Sequence, residues 1–138
     1  MKRVVVTGLG IISSIGNDIN KVTDSLKSLT SGIDINEKNK EMGLRSHVSG
    51  IIKGIDLKEE IERKAYRFMG DAAAYGYLSA VQALEDSKLK EEEISNYRTG
   101  LIMGSGGASS KDQIDAADIL RSKGLKRIGP YRVTKAMG

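Results

Sequence analysis

Residues 98–107 read Arg-Thr-Gly-Leu-Ile-Met-Gly-Ser-Gly-Gly, an apolar run that breaks into a glycine-rich turn. The run Leu101–Met103 does not alternate with polar residues, which predicts a short strand buried on both faces by helices. In an open α/β sheet, ligands bind beyond the carboxyl ends of the strands, and glycines there let a substrate approach the backbone N–H groups. The stretch therefore predicts the floor of a ligand site in an α/β fold.

A second apolar run lies near the start of the chain. The consecutive valines in Arg3–Thr7 predict another strand buried on both faces, and Gly8-Leu9-Gly10 follows it as a tight turn. A dinucleotide fingerprint would need a third glycine where Ser13 stands, and a phosphate loop would need Gly-Lys where the chain has Ser109-Ser110. A small nucleotide-binding protein therefore remains only an alternative, which a titration with NAD or ATP would test.

Helices are predicted between these runs from capping residues and from apolar residues at helical spacing. Asn17 and Asp18 can cap the first helix. The longest helix is rich in glycine and alanine, which allows close neighbours and predicts a helix buried between layers or against a second subunit. The other predicted elements are a long connection over 33–54 with a short strand at 48–52, a charged helix over 57–64, the long helix over about 67–84, a short helix opening at 91–93, a helix from Ser109 or Ser110 to about Arg121, and the start of a helix at 133.

Composition narrows the chemistry that these 138 residues can perform. The chain has no cysteine, which excludes a disulfide framework, a thiolate metal site and a cysteine nucleophile within it. His47 is the single histidine and is left without a role, and neither a metal site nor a cofactor is predicted. No apolar stretch is long enough to cross a membrane, and the opening residues are broken too soon for a signal peptide, so we expect a cytoplasmic location.

Several short motifs follow one another along the chain, and their combined order is more specific than any one of them. They are residues 1–16 (Met-Lys-Arg-Val-Val-Val-Thr-Gly-Leu-Gly-Ile-Ile-Ser-Ser-Ile-Gly), Ser31-Gly32-Ile33, Arg45-Ser46-His47-Val48, Arg67-Phe68-Met69, 100–107, Gly124-Leu125-Lys126, Gly129-Pro130-Tyr131 and Val133-Thr134-Lys135-Ala136-Met137. Together they resemble the β-ketoacyl-acyl-carrier-protein synthases, the condensing enzymes of type II fatty acid synthesis. The closing motifs resemble the synthase I branch most.

The resemblance implies an α/β fold of the thiolase-like, layered αβαβα type, of which this chain is an incomplete N-terminal half, and usually a homodimer. Such enzymes transfer an acyl group from acyl carrier protein to a cysteine, decarboxylate malonyl carrier protein and join the two pieces. The family's cysteine follows shortly after Val-Thr-Lys-Ala-Met, and its histidines and lysine lie in the second half. We therefore expect residues 1–138 to contain no catalytic residue and to be inactive alone.

Two groups of basic residues are candidates for binding. Without the resemblance, such charge runs are most often solvated surface. Positions matching Arg63, Lys64, Lys123 and Lys126 look in the synthase I branch like the docking surface for acyl carrier protein, a small acidic helical partner. Arg67 joins the set because it lies one helical turn beyond Arg63. Nucleic acid is not expected as a partner, because no aromatic residues are interleaved for base stacking.

A third group of residues is expected to line the pocket for the acyl chain. Gly107 stands where the synthase II branch tends to carry a bulky gate residue, so the resemblance implies an open route for the chain. Pro130 and Met137 look like pocket residues near the dimer interface, although Met137 can equally be plain core packing.

Two expectations concern the chain as a separate molecule. Its predicted strands would lack neighbours, so the isolated chain is expected to be marginally stable or to aggregate. The alternative to an enzyme segment is a non-catalytic protein that binds acyl carrier protein or a complementary half.

Overall fold

The computed structural model describes residues 3–107 and 109–137, and most of its regular structure is helical. One unit contains the chain up to Ile55 together with Ser79–Asn96, and the other contains Asp56–Leu78 and the chain from Tyr97 onward. The elements in chain order are α1 (Ile19–Lys27), β1 (Ile33–Ile35), α2 (Glu37–Glu41), β2 (Val48–Gly50), α3 (Leu57–Glu60), α4 (Arg63–Tyr66), α5 (Asp71–Ser87), α6 (Glu91–Ile94), α7 (Ser110–Lys123), a 3₁₀ turn (Leu125–Arg127) and α8 (Arg132–Ala136).

The first unit opens with the predicted helix α1. The carboxylate of Asp18 accepts the backbone N–H of Lys21 at 2.8 Å, so this residue is the cap. Val22 faces inward and is buried. The expected first helix and its capping residue are therefore confirmed.

A two-stranded antiparallel sheet follows α1. Strand β1 pairs with β2 so that Ile33 lies opposite Gly50 and Ile35 lies opposite Val48. The sequence predicted only the second strand, and over a longer range. Strand β1 was missed because its apolar side chains remain exposed, and three residues are too few for an alternating pattern to stand out.

The glycine turn after Thr7 lies against the C-terminal part of α5. A Cβ on Gly8 would collide with the carbonyl oxygen of Ala83, and a Cβ on Gly10 would collide with that of Ser79. The N–H of Leu9 donates to the Asp86 carboxylate at 3.0 Å. The two glycines thus allow a helix backbone to approach closely, which accounts for them without a nucleotide.

In the second unit, the predicted charged helix is divided in two. Asp56 caps α3 by accepting the N–H of Lys58 at 2.9 Å, and the extended backbone of Ile61 separates α3 from α4. The side chains of Leu57 and Ile61 are buried. Leu57 and Ile61 are four residues apart, a spacing that would share one face of a continuous helix, and both side chains stay buried although the helix ends between them.

The remaining helices agree with the predictions apart from small shifts at their ends. Helix α5 begins at Asp71 rather than near 67, because residues 67–68 form a turn and residues 69–70 lie outside any helix. Within α5, Ala74 is fully buried and most other side chains are half-buried; the expected burial between layers or against a second subunit stays a prediction. Ser109 caps α7, and the helix expected from 133 is α8; Gly138 lies outside the described residues.

The two apolar runs predicted as buried strands are not strands in the structure. Residues 3–7 and 101–103 lie outside any helix or strand, and Val4 is 91% exposed while Ile102 is 99% exposed. A strand needs a neighbour to pair its N–H and C=O groups, and an apolar run needs a layer to cover it. Among the described residues, no strand pairs with these runs and no layer covers them. The predicted sheet is therefore absent although the apolar runs are there.

Candidate functional site

The basic residues predicted as a docking surface all belong to the second unit and are all exposed. Helix α4 carries Arg63 and Lys64, and Arg67 directly follows it. Lys123 is the last residue of α7, and Lys126 lies in the 3₁₀ turn that follows. The two groups therefore sit at the ends of two helices, where long side chains reach solvent.

Arg67 is the predicted docking residue with the best-defined surroundings. Its guanidinium carbon lies 4.3 Å from the ring centroid of Tyr131 and 5.4 Å from that of Phe68. Its Nη2 also donates a hydrogen bond to the Tyr131 hydroxyl. The two rings meet edge to face, with centroids 4.7 Å apart. Arg67 is thus held in one orientation and links the end of α4 to the chain that precedes α8.

A pocket of about 240 Å³ opens beside this contact. Arg67 and Tyr131 line one part of it, and Arg132 and Lys135 from α8 line another. Ile128 and Gly129 complete the lining. Three cationic side chains and a hydroxyl therefore border one small pocket, which suits an anionic group.

The sequence prediction missed Arg132 and Lys135, although the sequence contains a signal for them. From Ile119 to the end, the chain has six Lys and Arg residues and no Asp or Glu. The preceding 118 residues have 16 Lys and Arg against 18 Asp and Glu. The positive net charge of the chain is therefore concentrated in this last segment.

Tyr66 is the last residue of α4. Its side chain is half-buried, and burial raises its pKa, with the carboxylate of Asp71 raising it further. Burial and Asp71 act on Tyr75 in the same direction. Both phenols therefore remain neutral at physiological pH.

The residues predicted for an acyl pocket are also in the second unit. Gly107 has φ +156°, and no atom of the described residues lies within 4 Å of a Cβ built there. Pro130 is exposed beside Tyr131, and the side chain of Met137 is 61% exposed. None of the three lines the basic pocket. The prediction that they line an acyl pocket remains a prediction.

The described residues offer little chemistry besides charge. His47 lies just before β2, where its carbonyl accepts the N–H of Asn36 at 2.7 Å. Within residues 3–107 and 109–137, no group of three His, Asp or Glu side chains is placed to hold a metal ion. Across the same residues, no helix combines the length and apolar character that a membrane crossing requires.

Comparison with known proteins places these features in a family. Residues 1–137 match the family model for the N-terminal domain of β-ketoacyl synthases. The chain is 53% identical to 3-oxoacyl-[acyl-carrier-protein] synthase 1 of Haemophilus influenzae over 99% of its own length and 34% of that protein. It is 32% identical to synthase 2 of Vibrio cholerae over 96% of its length and 32% of that protein. The chain thus spans about a third of these relatives.

Solved structures agree with that assignment. A β-ketoacyl synthase from Burkholderia phymatum matches 96% of the chain with a TM-score of 0.75 and 25% identity, and the chain covers 33% of it. A type II polyketide ketosynthase, solved in complex with its acyl-carrier protein, matches 99% of the chain with a TM-score of 0.74 and 25% identity, and the chain covers 35% of it. The predicted thiolase-like α/β fold class, with this chain as an N-terminal part, is confirmed.

Proposed function

Because this chain belongs to the β-ketoacyl synthase family, whose N-terminal domain it matches, we propose that it forms the N-terminal third of a 3-oxoacyl-[acyl-carrier-protein] synthase 1 of fatty acid biosynthesis. The observation that carries the proposal is a difference in sequence identity. The chain is 53% identical to a synthase 1 and 32% identical to a synthase 2. The closing motifs that resemble the synthase I branch point the same way.

The proposed reaction is a decarboxylative condensation. A cysteine thiolate takes the acyl group from a carrier thioester and releases the carrier thiol. Malonyl carrier protein loses CO₂, and the resulting enolate carbon attacks the acyl thioester and expels the cysteine thiolate. The product is a 3-oxoacyl carrier protein. Since residues 1–138 hold no cysteine, this chemistry is assigned to the remainder of the synthase, and binding is assigned to this chain.

We assign the docking of acyl carrier protein to Arg63, Lys64, Arg67, Lys123 and Lys126. Their exposure and their place in one unit support this assignment. A ketosynthase of the same fold was solved with its own acyl-carrier protein. Charges exposed at the rim of such an interface speed the encounter and fix its orientation.

Gly107, Pro130 and Met137 are proposed to border the acyl pocket, and a second subunit is proposed to complete it. The large exposed fraction of Met137 supports this, since an apolar side chain of this kind is normally covered by other residues. A homodimer is therefore part of the proposal, and a cytoplasmic location is proposed with it, as expected from the sequence.

The function is tested with the complete synthase that carries residues 1–138 and with the 138-residue chain alone. The complete protein is expected to release CO₂ from malonyl carrier protein and to form a 3-oxoacyl carrier protein. The chain alone is expected to do neither. Condensation by the chain alone, or a well-folded complete protein without condensation, would contradict the proposal.

Docking is tested separately by reversing two charges of α4. Arg63→Glu with Lys64→Glu should raise KM for acyl carrier protein about tenfold or more and leave kcat little changed, because charge reversal opposes the encounter. Lys38→Glu with Lys40→Glu is the matched control, since it makes the same charge change on α2 in the other unit. Equal KM values for the two variants would rule out docking through α4.

A further inference from the structure

We propose that Arg67 is a positioning residue for the acyl pocket, and that it acts through Tyr131 on the helix α8. The inference rests on the proposed function, in which Pro130 and Met137 border that pocket. It gives Arg67 a task inside its own chain, which the exposed basic residues around it do not share.

The two proposed pocket residues lie at opposite ends of α8. Pro130 directly precedes Tyr131, the N-cap of the helix, and Met137 is the C-cap. The helix itself has only five residues. A helix this short is not stable alone, so its position depends on contacts with the rest of the protein. The contacts that fix α8 therefore fix both pocket residues.

Arg67 fixes the start of α8. Its guanidinium carbon lies 4.3 Å from the centroid of the Tyr131 ring, and its Nη2 donates to the Tyr131 hydroxyl. Phe68 packs edge to face against the same ring. The carbonyl of Tyr131 accepts the backbone N–H of Lys135 at 3.1 Å and the hydroxyl of Thr134 at 2.9 Å. The residue that Arg67 holds by its side chain thus closes the helix by its backbone.

Gly70 fixes the other end of the helix. It is buried, and a Cβ built on it would collide with the backbone carbonyl of Lys135, two residues before Met137. Residues 67–70 directly follow α4, so one short segment contacts α8 at both ends. Two contacts prevent the helix from pivoting, whereas either contact alone would leave it free to turn about one point.

The contact between Arg67 and Tyr131 needs an arginine and not merely a positive charge. A guanidinium is planar, stacks on an aromatic ring and donates hydrogen bonds in fixed directions, whereas a lysine ammonium is a compact point charge. Arg67→Lys therefore keeps the charge that a docking surface would use and removes the link to α8. This substitution separates positioning from docking.

The test compares a long with a short saturated acyl chain, each delivered to the complete synthase on acyl carrier protein. Arg67→Lys should lower the ratio of kcat/KM for the long chain to that for the short chain about tenfold, the effect of roughly one methylene group in an apolar pocket. A long chain contacts more of the pocket and loses more when two of its residues shift. Because both chains arrive on the same carrier, a change in docking cancels in the ratio.

Arg121→Lys is the matched control. It makes the same substitution at an exposed position on α7, in the same unit of the chain. The control should leave the ratio unchanged. An equal fall in both variants would overturn the inference, because it would not depend on the link to α8.

A double substitution shows whether Arg67 acts through Tyr131. In a Tyr131→Leu background, which has neither ring nor hydroxyl, Arg67→Lys should change the ratio no further, because both residues belong to one link. If Tyr131→Leu lowers the thermal midpoint too far for assay, Tyr131→Phe takes its place. Arg67→Lys should then have a smaller effect than in the parent. An effect as large as in the parent would overturn the inference.

Gly107→Ile, measured in the same assay, distinguishes failure of this inference from failure of the proposed function. If Gly107→Ile lowers the ratio while Arg67→Lys leaves it unchanged, Arg67 does not position the pocket and the pocket assignment stands. If neither variant changes the ratio, both the positioning role and the pocket assignment are wrong.

Discussion

Gly70 lies so close to the backbone carbonyl of Lys135 that a side chain at position 70 has no room. A Cβ built on Gly70 would also lie 3.0 Å from the Cβ of Ser109 and 3.0 Å from Oδ2 of Asp112. The turn before α5, the start of α7 and the helix α8 therefore meet at one buried glycine. This contact places α8, with Arg132 and Lys135, against the rest of the second unit.

Replacement of Gly70 by alanine should destabilise the complete synthase by about 1–3 kcal/mol, the usual range for overpacking. The added methyl group meets a backbone oxygen, which cannot rotate away as a side chain can. Thermal unfolding and hydrogen exchange at α8 would measure the effect. Gly100→Ala is the control, since no atom of the described residues lies within 4 Å of a Cβ there. Equal stability of the two variants would contradict the contact.

Ser109 is predicted to stabilise the same junction by capping α7. Its Oγ donates to the Asp112 carboxylate at 2.6 Å and accepts the backbone N–H of Asp112 at 3.3 Å. Ser109→Ala should cost about 1 kcal/mol, the typical loss for a helix cap. Ser109→Thr should restore most of it, and Ser110→Ala should have little effect. A larger loss from Ser110→Ala, measured by thermal unfolding, would show that the cap is misassigned.

The helices could be predicted from sequence because their signals are local. Asp18, Asp56 and Ser109 each cap a helix at the position where the pattern puts one. The strands predicted at 3–7 and 101–103 do not form among the described residues, because a strand depends on partners that are distant in sequence. The apolar residues of these runs can be read from the sequence, but strand pairing needs a sheet, and the described residues do not form that sheet.

Only part of the candidate site could be predicted from the sequence. The exposed residues Arg63 and Lys64 followed from helical spacing and from the family resemblance. The link between Arg67 and Tyr131 did not, because 64 residues separate the two side chains and no periodicity relates them. Arg132 and Lys135 have no basic neighbour in the sequence, so no local charge run pointed to them. The absence of acidic residues after Asp118 is the pattern that identifies them.

Protonation of Asp18 should loosen α1 at low pH. The backbone N–H of Lys21 is the main cause that lowers the pKa of Asp18 below 3.8. A lowered pKa means that the charged carboxylate stabilises the fold above pH 3.8, and that this contribution is lost as pH falls through the lower folded-state value. The difference in α1 hydrogen exchange between Asp18→Asn and the parent should shrink as pH is lowered from 7 to about 3. A difference independent of pH would refute the assignment.

Replacement of Gly107 should shorten the acyl chains that the complete synthase accepts, if this glycine leaves the chain's route open. The backbone at φ +156° disfavours any side chain, so Gly107→Ile adds both strain and bulk. Gly107→Ala adds similar strain with little bulk. We expect the isoleucine variant alone to lose activity on long chains, as measured by kcat/KM across a chain-length series. A parallel loss in both variants would indicate strain and contradict the pocket assignment.

The exposed apolar runs should make the isolated 138-residue chain associate with itself. Val4–Val6 and Leu101–Met103 present contiguous apolar surface, which in water drives aggregation. Val5→Lys with Ile102→Lys should therefore lower light scattering by the isolated chain, because charges on such runs oppose pairing.

The same two substitutions should destabilise the complete synthase, in which both runs are expected to be covered strands. A lysine placed between sheet and helices loses its hydration without gaining a partner, and the cost of burying it is several kcal/mol. Tyr97→Lys, at a side chain that is 97% exposed in the structure, controls for an added charge on the isolated chain and should leave its light scattering little changed. If the lysines improve the isolated chain and leave the thermal midpoint of the complete synthase unchanged, the two runs are surface segments and not the strands that their sequence predicts.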